Sequence, residues 1–239
     1  MKNFDKRWIL LAIQIIGGLI SIWALFTMST IPLIIASLTM FFLFKCIGVT
    51  VTYHRFITHR VAKMHPVVEF ICTGLGFYGS GLGPVSWAGI HNDHHKYADT
   101  DRDPHNPKIL GWKGIFPIFW QHSGPDNGDL RTMVRVRRNK IYSFYQDNYY
   151  ILLLLPLLLL FWPKIFFFFY LIPATMSIWS QQYTIYSHDE NGAFEKMSWL
   201  YAVVSGGEHY HKWHHDHPGD TSGEGWIHNI VKLLAISPK

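Results

Sequence analysis

Hydropathy along the chain alternates in long blocks: two apolar runs, a polar middle, two more apolar runs and a polar end. WILLAIQIIGGLISIWALF, residues 8–26, holds no charge across nineteen positions. That length matches the about twenty residues a helix needs to cross hydrocarbon. The basic start at Lys2, Lys6 and Arg7 would also suit a signal peptide, but no small-residue cleavage site follows and a second apolar run begins at once. MSTIP, Met28 to Pro32, reads as a short turn. From Leu33 to about Tyr53 only Lys45 interrupts the apolar run, and the helical pattern continues to His59. Such a helix, roughly 27 residues at about 1.5 Å each, reaches roughly 40 Å, more than a bilayer core. Its end should therefore emerge from the membrane carrying His54 and His59.

VVEFICTGLGFYGSGLGPV, residues 67–85, has five glycines and Glu69, which makes it a poor span. It reads as an interfacial or re-entrant element against the bundle. Residues 86–148 are polar and basic, broken by Pro104, Pro107, Pro117 and Pro125. ILLLLPLLLLFW (151–162) and IFFFFYLIPATMSIW (165–179) then flank Pro163-Lys164, with Pro156 and Pro173 inside them. The pattern predicts an all-α integral membrane protein of one domain, residues 1–239. Its four transmembrane helices, near 8–27, 32–59, 149–162 and 165–187, form two hairpins. Both termini and the regions near 60–148 and 188–239 then share one side as a His-rich cap. Lys and Arg concentrate there, while the opposite turns hold only Lys164, so that side is expected to be cytoplasmic.

Composition agrees. Charged residues are 15% of the chain, well under the roughly quarter usual in soluble domains. The formal charge of +5 is spread over loops rather than gathered in an arm, which points to an anionic membrane surface and not to nucleic acid. Cys46 and Cys72 both lie in apolar surroundings and read as buried thiols. The fifteen histidines are the main ligand resource.

They cluster in HRFITH (54–59), HNDHH (91–95) and HKWHH (211–215), all on the predicted cytoplasmic side. His91, His94 and His95 are spaced i, i+3, i+4, so on a helix they share a face and can converge on an ion; His211, His214 and His215 repeat this. His54 and His59 are five apart, about 140° around an α-helix, and need two-sided grip or a loosened last turn. Eight imidazoles exceed one structural zinc site, so their number argues for two ions. Imidazole suits zinc, copper, iron and nickel alike. The set also differs from the Glu and Glu-x-x-His ligands of soluble di-iron bundles.

These clusters resemble the three histidine boxes of the membrane fatty-acid desaturases, HxxxxH, HxxHH and HxxHH. The likeness extends to GVTVTYHR (48–55), GPVSWAGIH (83–91), DTDRDPHNP (99–107) and GEHYHKWHHDHPGD (207–220). The resemblance implies two Fe ions, cycling between Fe2+ and Fe3+, with O2 as co-substrate. It places their ligands on His54, His59, His91, His94, His95, His211, His214 and His215, with His188 as the ninth. Thr184 stands where acyl-CoA desaturases have an asparagine that holds a metal through water. His209 replaces a glycine and reads as an extra surface histidine or as a group supporting the ligands from behind. His105 and His122 match positions outside the iron shell and suit structural hydrogen bonding. Asp99, Asp101 and Asp103 are expected to accept imidazole N–H groups.

The implied activity is O2-dependent insertion of a cis double bond into a saturated acyl chain, delta-9-like. The expected substrate is an acyl lipid or acyl-CoA. Lys45, Val49 and Phe42 on the second span, with Trp87, are candidates for the wall of an acyl tunnel. Gly89 and Ile90 stand where animal acyl-CoA desaturases have an Arg-Asp pair, which tilts the expectation towards a glycerolipid. HPGD (217–220) resembles the HPGG of cytochrome b5, but a fused haem domain needs many more residues than follow, so electrons are expected from a separate ferredoxin or cytochrome b5 type donor. Two alternatives stand beside this: a membrane di-iron fatty-acid or lipid hydroxylase, and a non-catalytic metal-binding membrane protein. Lys45 is the one clear charge inside the spans, which argues against a transport path.

Overall fold

The structure, a computed structural model, describes residues 7–121, 128–185, 187–189 and 192–238. His122 and Pro125 lie outside them. Among the described residues two helices are each long and apolar enough to cross a membrane: α1 (Arg7–Met28) and α2 (Ile31–Thr58). On α1 only Leu11, Ser21 and Ala24 are buried, and Phe26 is 88% exposed, so its surface is matched to lipid tails rather than to protein. Thr30 starts α2 with Pro32 in its first turn, where a missing N–H costs nothing.

From Leu43 onward the hydrogen bonds of α2 run from i to i+5. The His59 N–H donates to His54 O (3.1 Å), and Thr52 and Thr58 donate from Oγ1 to Ile47 O and Tyr53 O, each five residues back. Arg135 caps this end by donating to Ile57 O and Thr58 O. After strand β1 (Ala62–Met64) the chain returns as α3 (Pro66–Ser80), which packs closely along α2. Glycines set that distance. A Cβ at Gly48 would overlap the backbone of Leu75 and Gly76, and one at Gly79 would come within 2.5 Å of Phe44 O. The Gly-rich stretch is therefore a helix closely fitted to the second span, beginning one residue before the expected element.

In the middle region the prolines start helices more than they break them. Pro84 opens α4 (Pro84–Tyr97), and Pro107 and Pro117 open short turns of helix. α5 (Leu130–Arg137) and α6 (Lys140–Asp147) follow, capped by the side chains of Asp129 and Asn139. α6 then bends by 68° into α7 (Tyr149–Phe161), and the two pass as an apolar span only if taken together. A further helix, α8, runs over 163–180. Pro156 and Pro173 sit where the hydrogen-bond ladder changes type: Pro156 in the first turn of a 3-10 stretch, Pro173 in the first turn after an i to i+5 stretch. Ser37 Oγ donates to Phe168 O (2.7 Å) and Ser177 Oγ to Gly79 O (2.7 Å), tying α8 to α2 and α3. A small antiparallel pair, β2 (His188–Asp189) with β3 (Gly192–Ala193), leads to α9 (Trp199–Ser205), α10 (His211–Asp216) and α11 (Trp226–Leu234). β4 (Ala235–Pro238) closes antiparallel on β1. Cys46 and Cys72 are both free and buried, as their apolar surroundings implied.

Gly48→Ala and Gly79→Ala are each expected to cost about 1–3 kcal/mol through overpacking of α2 on α3. Gly17→Ala, with nothing within 4 Å of the added carbon, should cost nothing. Thermal unfolding of the detergent-solubilised protein measures the difference.

Candidate metal centre

Each histidine cluster is placed by a different element. His54 ends the i to i+5 ladder of α2 and His59 caps it. Because the ladder closes after five residues, the two rings share a face, with centroids 5.0 Å apart. A regular α-helix would have turned them apart. α4 presents His91, His94 and His95, α10 presents His211, His214 and His215, and the β2 strand presents His188.

The nine imidazoles form two groups. His54, His59, His91, His95 and His214 bring one donor atom each within 4.8 Å of one another, and so do His94, His188, His211 and His215. Neither i, i+3, i+4 triad converges on one point as its spacing suggested. On α4 the i, i+4 pair His91 and His95 joins the first group while His94 turns to the second. On α10 His211 and His215 take the second group and His214 the first. Each of these two helices thus spans both groups. Nε2 atoms face inward: His91 and His95 at 3.0 Å, His95 and His214 at 3.1 Å, His188 and His211 at 2.9 Å, His94 and His215 at 3.3 Å. Neighbouring donors at right angles on an ion with metal–nitrogen bonds of about 2.1 Å would stand about 3.0 Å apart.

Nδ1 atoms face outward onto carboxylates. His54 Nδ1 lies 2.8 Å from Glu208 Oε1, His214 Nδ1 2.9 Å from Glu224 Oε1, His94 Nδ1 2.9 Å from Asp103 Oδ1, and His188 Nδ1 3.1 Å from Asp99 Oδ1. Such contacts fix the Nδ1–H tautomer and leave Nε2 a lone pair. Of the three expected aspartates, Asp99 and Asp103 take this role and Asp101 is exposed. Asp99 adopts φ +64°, a left-handed turn an aspartate tolerates, and its N–H donates to Asp103 Oδ2 (3.0 Å).

Three members of this network were not singled out by sequence: Arg55, Glu208 and Glu224. Arg55 donates from Nε to Glu224 Oε2 (2.9 Å) and from Nη1 to Glu208 Oε1 (2.5 Å). Glu208 and His211 do have the Glu-x-x-His spacing of soluble di-iron bundles. Here, however, the glutamate turns to His54 and Arg55. The available signal was the charge of Arg55 inside the first box and of Glu208 three residues before the third; Glu224, nine residues past the third box, carried none.

Burial pushes the His91, His95, His211 and His214 imidazoles well below their ordinary range, and the surrounding imidazoles push them further. His215 falls to about 2 by the same causes. They are therefore neutral at physiological pH, the form that ligates metal. Burial raises the Glu208 carboxyl, but Arg55 beside it outweighs this and holds it well below the usual range. At Glu224 burial wins over Arg55, and the carboxyl is raised. His54 Nε2 and His59 Nε2 are buried with no hydrogen-bond partner among the described residues, and a bound cation would engage their lone pairs. The donor set fits two transition-metal ions.

His209 is not a surface residue. It is 7% exposed, its Nδ1 lies 3.1 Å from Gly207 O, and its ring packs on Tyr210. It follows the left-handed turn at Gly206 and Gly207 and belongs to neither imidazole group. His105 stands behind His94, and its backbone N–H donates to Asp103 Oδ1 (2.8 Å). A narrow cavity reaches His54, His91, His94 and His211, and its wall includes Lys45, Val49 and Trp87. Trp87 stacks on His91 at 4.8 Å and directs Nε1 to Gln181 Oε1. Thr184 also lines it, with its hydroxyl already donated to Gln181 O (2.6 Å). Phe42 is outside this wall, half exposed and stacked on Trp226 at 6.1 Å.

The profile of the fatty acid desaturase family matches residues 29–221. The chain is 27% identical over 193 residues to the acyl-CoA 5-desaturase of Anemone leveillei, covering 75% of this chain and 60% of that protein. It is 30% identical over 101 residues to the sn-1 stearoyl-lipid 9-desaturase of Anabaena variabilis, covering 42% and 37%. It is 33% identical over 107 residues to the delta-9 acyl-lipid desaturase 1 of Arabidopsis thaliana, covering 42% and 33%. The chain thus matches less than two thirds of the length of each of these relatives.

Glu224→Gln and Asp103→Asn are each expected to weaken metal retention by about 10–100-fold, the usual cost of losing a carboxylate behind a ligating imidazole. Asp101→Asn should leave it unchanged. Metal content after graded chelator challenge, by elemental analysis, reads this directly.

Proposed function

The chain belongs to the fatty acid desaturase family, and from that premise we propose that it is an O2-dependent oxidoreductase that places a cis double bond in a saturated acyl chain, delta-9-like in position. The observation that carries this reading is the meeting of five and four imidazole donors beside a cavity walled in part by Val49, Leu82, Trp87 and Ile90. We assign His54, His59, His91, His95 and His214 to one iron and His94, His188, His211 and His215 to the other. Bound iron supplies the power to activate O2 with two external electrons, chemistry that no side chain provides. The overall change removes one hydrogen from each of two adjacent methylenes; with O2, two electrons and two protons this gives the alkene and two waters.

The chain's own residues do the positioning. Glu208, Glu224, Asp99 and Asp103 hold four imidazoles with Nε2 turned inward. Trp87 braces His91 and, with Val49, Leu82 and Ile90, gives the acyl chain an apolar wall that excludes water. The substrate is an acyl lipid or an acyl-CoA; relatives of both kinds occur, named for acyl-lipid and for acyl-CoA desaturation. In the membrane, α1 and α2 form one hairpin, and the bent α6–α7 pair with α8 forms the second. The single domain thus has four spans, with both termini and the histidine cap cytoplasmic. Electrons come from a separate ferredoxin or cytochrome b5 type protein docking on that side.

His95→Ala and His214→Ala are expected to abolish unsaturated product while the protein still inserts in the membrane. Expression in cells of defined lipid composition, followed by mass analysis of fatty acids in each lipid class, tests this. A product lighter than its precursor by two hydrogens supports desaturation, a product heavier by one oxygen makes the chain a hydroxylase, and tight zinc with no product makes it a binding protein.

A further inference from the structure

The cavity beside the imidazoles is not uniformly apolar. Lys45 and Glu208 line it together with Val49, Leu82, Trp87 and Ile90. Lys45 is 1% exposed and has no hydrogen bond or ion pair among the described residues. Glu208 has given Oε1 to His54 and Arg55, while its Oε2 is buried without a partner. Of the charges around Lys45, that of Glu208 acts on it most strongly. The lysine stem is held in place: Gly206 has φ +70°, and a Cβ there would come within 2.6 Å of Lys45 Cγ. The loop carrying Glu208 is thus shaped around Lys45.

An ammonium and a carboxylate oxygen left unpaired on one wall are costly to cover with methylenes. We propose that Lys45 and Glu208 Oε2 form a hydroxyl subsite, so that the cavity selects an acyl chain bearing a hydroxyl group at the depth of Lys45. The ammonium donates to the hydroxyl oxygen, and the hydroxyl donates to Oε2. The chemistry excludes the nearest rivals. A carboxylate would be repelled by Glu208, a ketone would satisfy Lys45 alone, and a plain chain would satisfy neither. A substrate hydroxyl can reproduce the hydrogen bonds of any water it displaces there. This inference rests on the acyl-chain reading above and narrows its substrate class.

The test uses the iron-loaded full chain in detergent, with stearoyl-CoA, its monohydroxy isomers along the chain, and the same acyl groups esterified in a glycerolipid. Binding is read by ligand-dependent thermal shift, and turnover by product mass after adding reductant and O2. One hydroxyl position should bind at least about tenfold tighter than the unsubstituted chain, because a site built to hydrogen-bond a hydroxyl rejects the analogue lacking it. In Lys45→Met that ratio should fall to about one. The proposal is overturned if the wild type binds no hydroxy isomer more tightly than the plain chain, or if Lys45→Met keeps the preference. The wild-type series alone decides the matter should Lys45→Met fail to fold. A hydroxyl preference in binding without desaturation of any chain would sink the desaturase reading and leave the subsite standing; desaturation of plain and hydroxylated chains without preference would do the reverse.

Discussion

The buried guanidinium of Arg55 is the contact on which the rest of the centre depends. It is 1% exposed and lies between Glu208 and Glu224, and each of those carboxylates holds the Nδ1 of an imidazole, His54 or His214. Three segments far apart in sequence, the end of α2, the loop before α10 and the loop before α11, are fastened by one residue. Burying a charge this deeply is tolerable only because partners surround it, and removal of any one partner would strand another. The reward is orientation: with Nδ1 engaged outward, Nε2 has nowhere to face but the interior of the centre.

The shape of α2 supplies the second condition. An i to i+5 ladder is a strained way to wind sixteen residues, and threonine hydroxyls at positions 52 and 58 reinforce it by bonding carbonyls five residues back. That winding aligns His54 with His59. It also widens the helix, and the notched glycines of α3 let the neighbour follow closely. Ordinary helices suffice elsewhere, because α4 and α10 use the about 100° between adjacent i+3 and i+4 positions to divide their histidines between two groups. Two ions can then share each helix.

Function follows from where this polar assembly sits. The centre lies at the end of the long apolar helix, and its cavity runs back along α2 past Val49 to Lys45. Neutral imidazoles there remain available to a metal instead of holding protons, since burial and crowding keep them deprotonated. The same burial that makes the site reactive makes Lys45 conspicuous, because an ammonium at that depth needs a reason.

Much of this was written in the chain. Apolar block lengths gave the first two helices nearly to the residue, because span length is set by bilayer thickness and not by packing. The nine imidazoles named from box spacing and the flanking resemblance, including His188 outside the boxes, are those of the two larger histidine groups. Local spacing could not say which imidazoles would share a group, since that depends on the angle at which α4 meets α10. Nor could it reveal the i to i+5 winding of α2, the burial of His209 or the stacking of Phe42 on Trp226, which are decided by packing between distant segments. Arg55, Glu208 and Glu224 look like ordinary surface charges in sequence. Only tertiary structure, by burying all three together, turns them into the frame that aims the imidazoles.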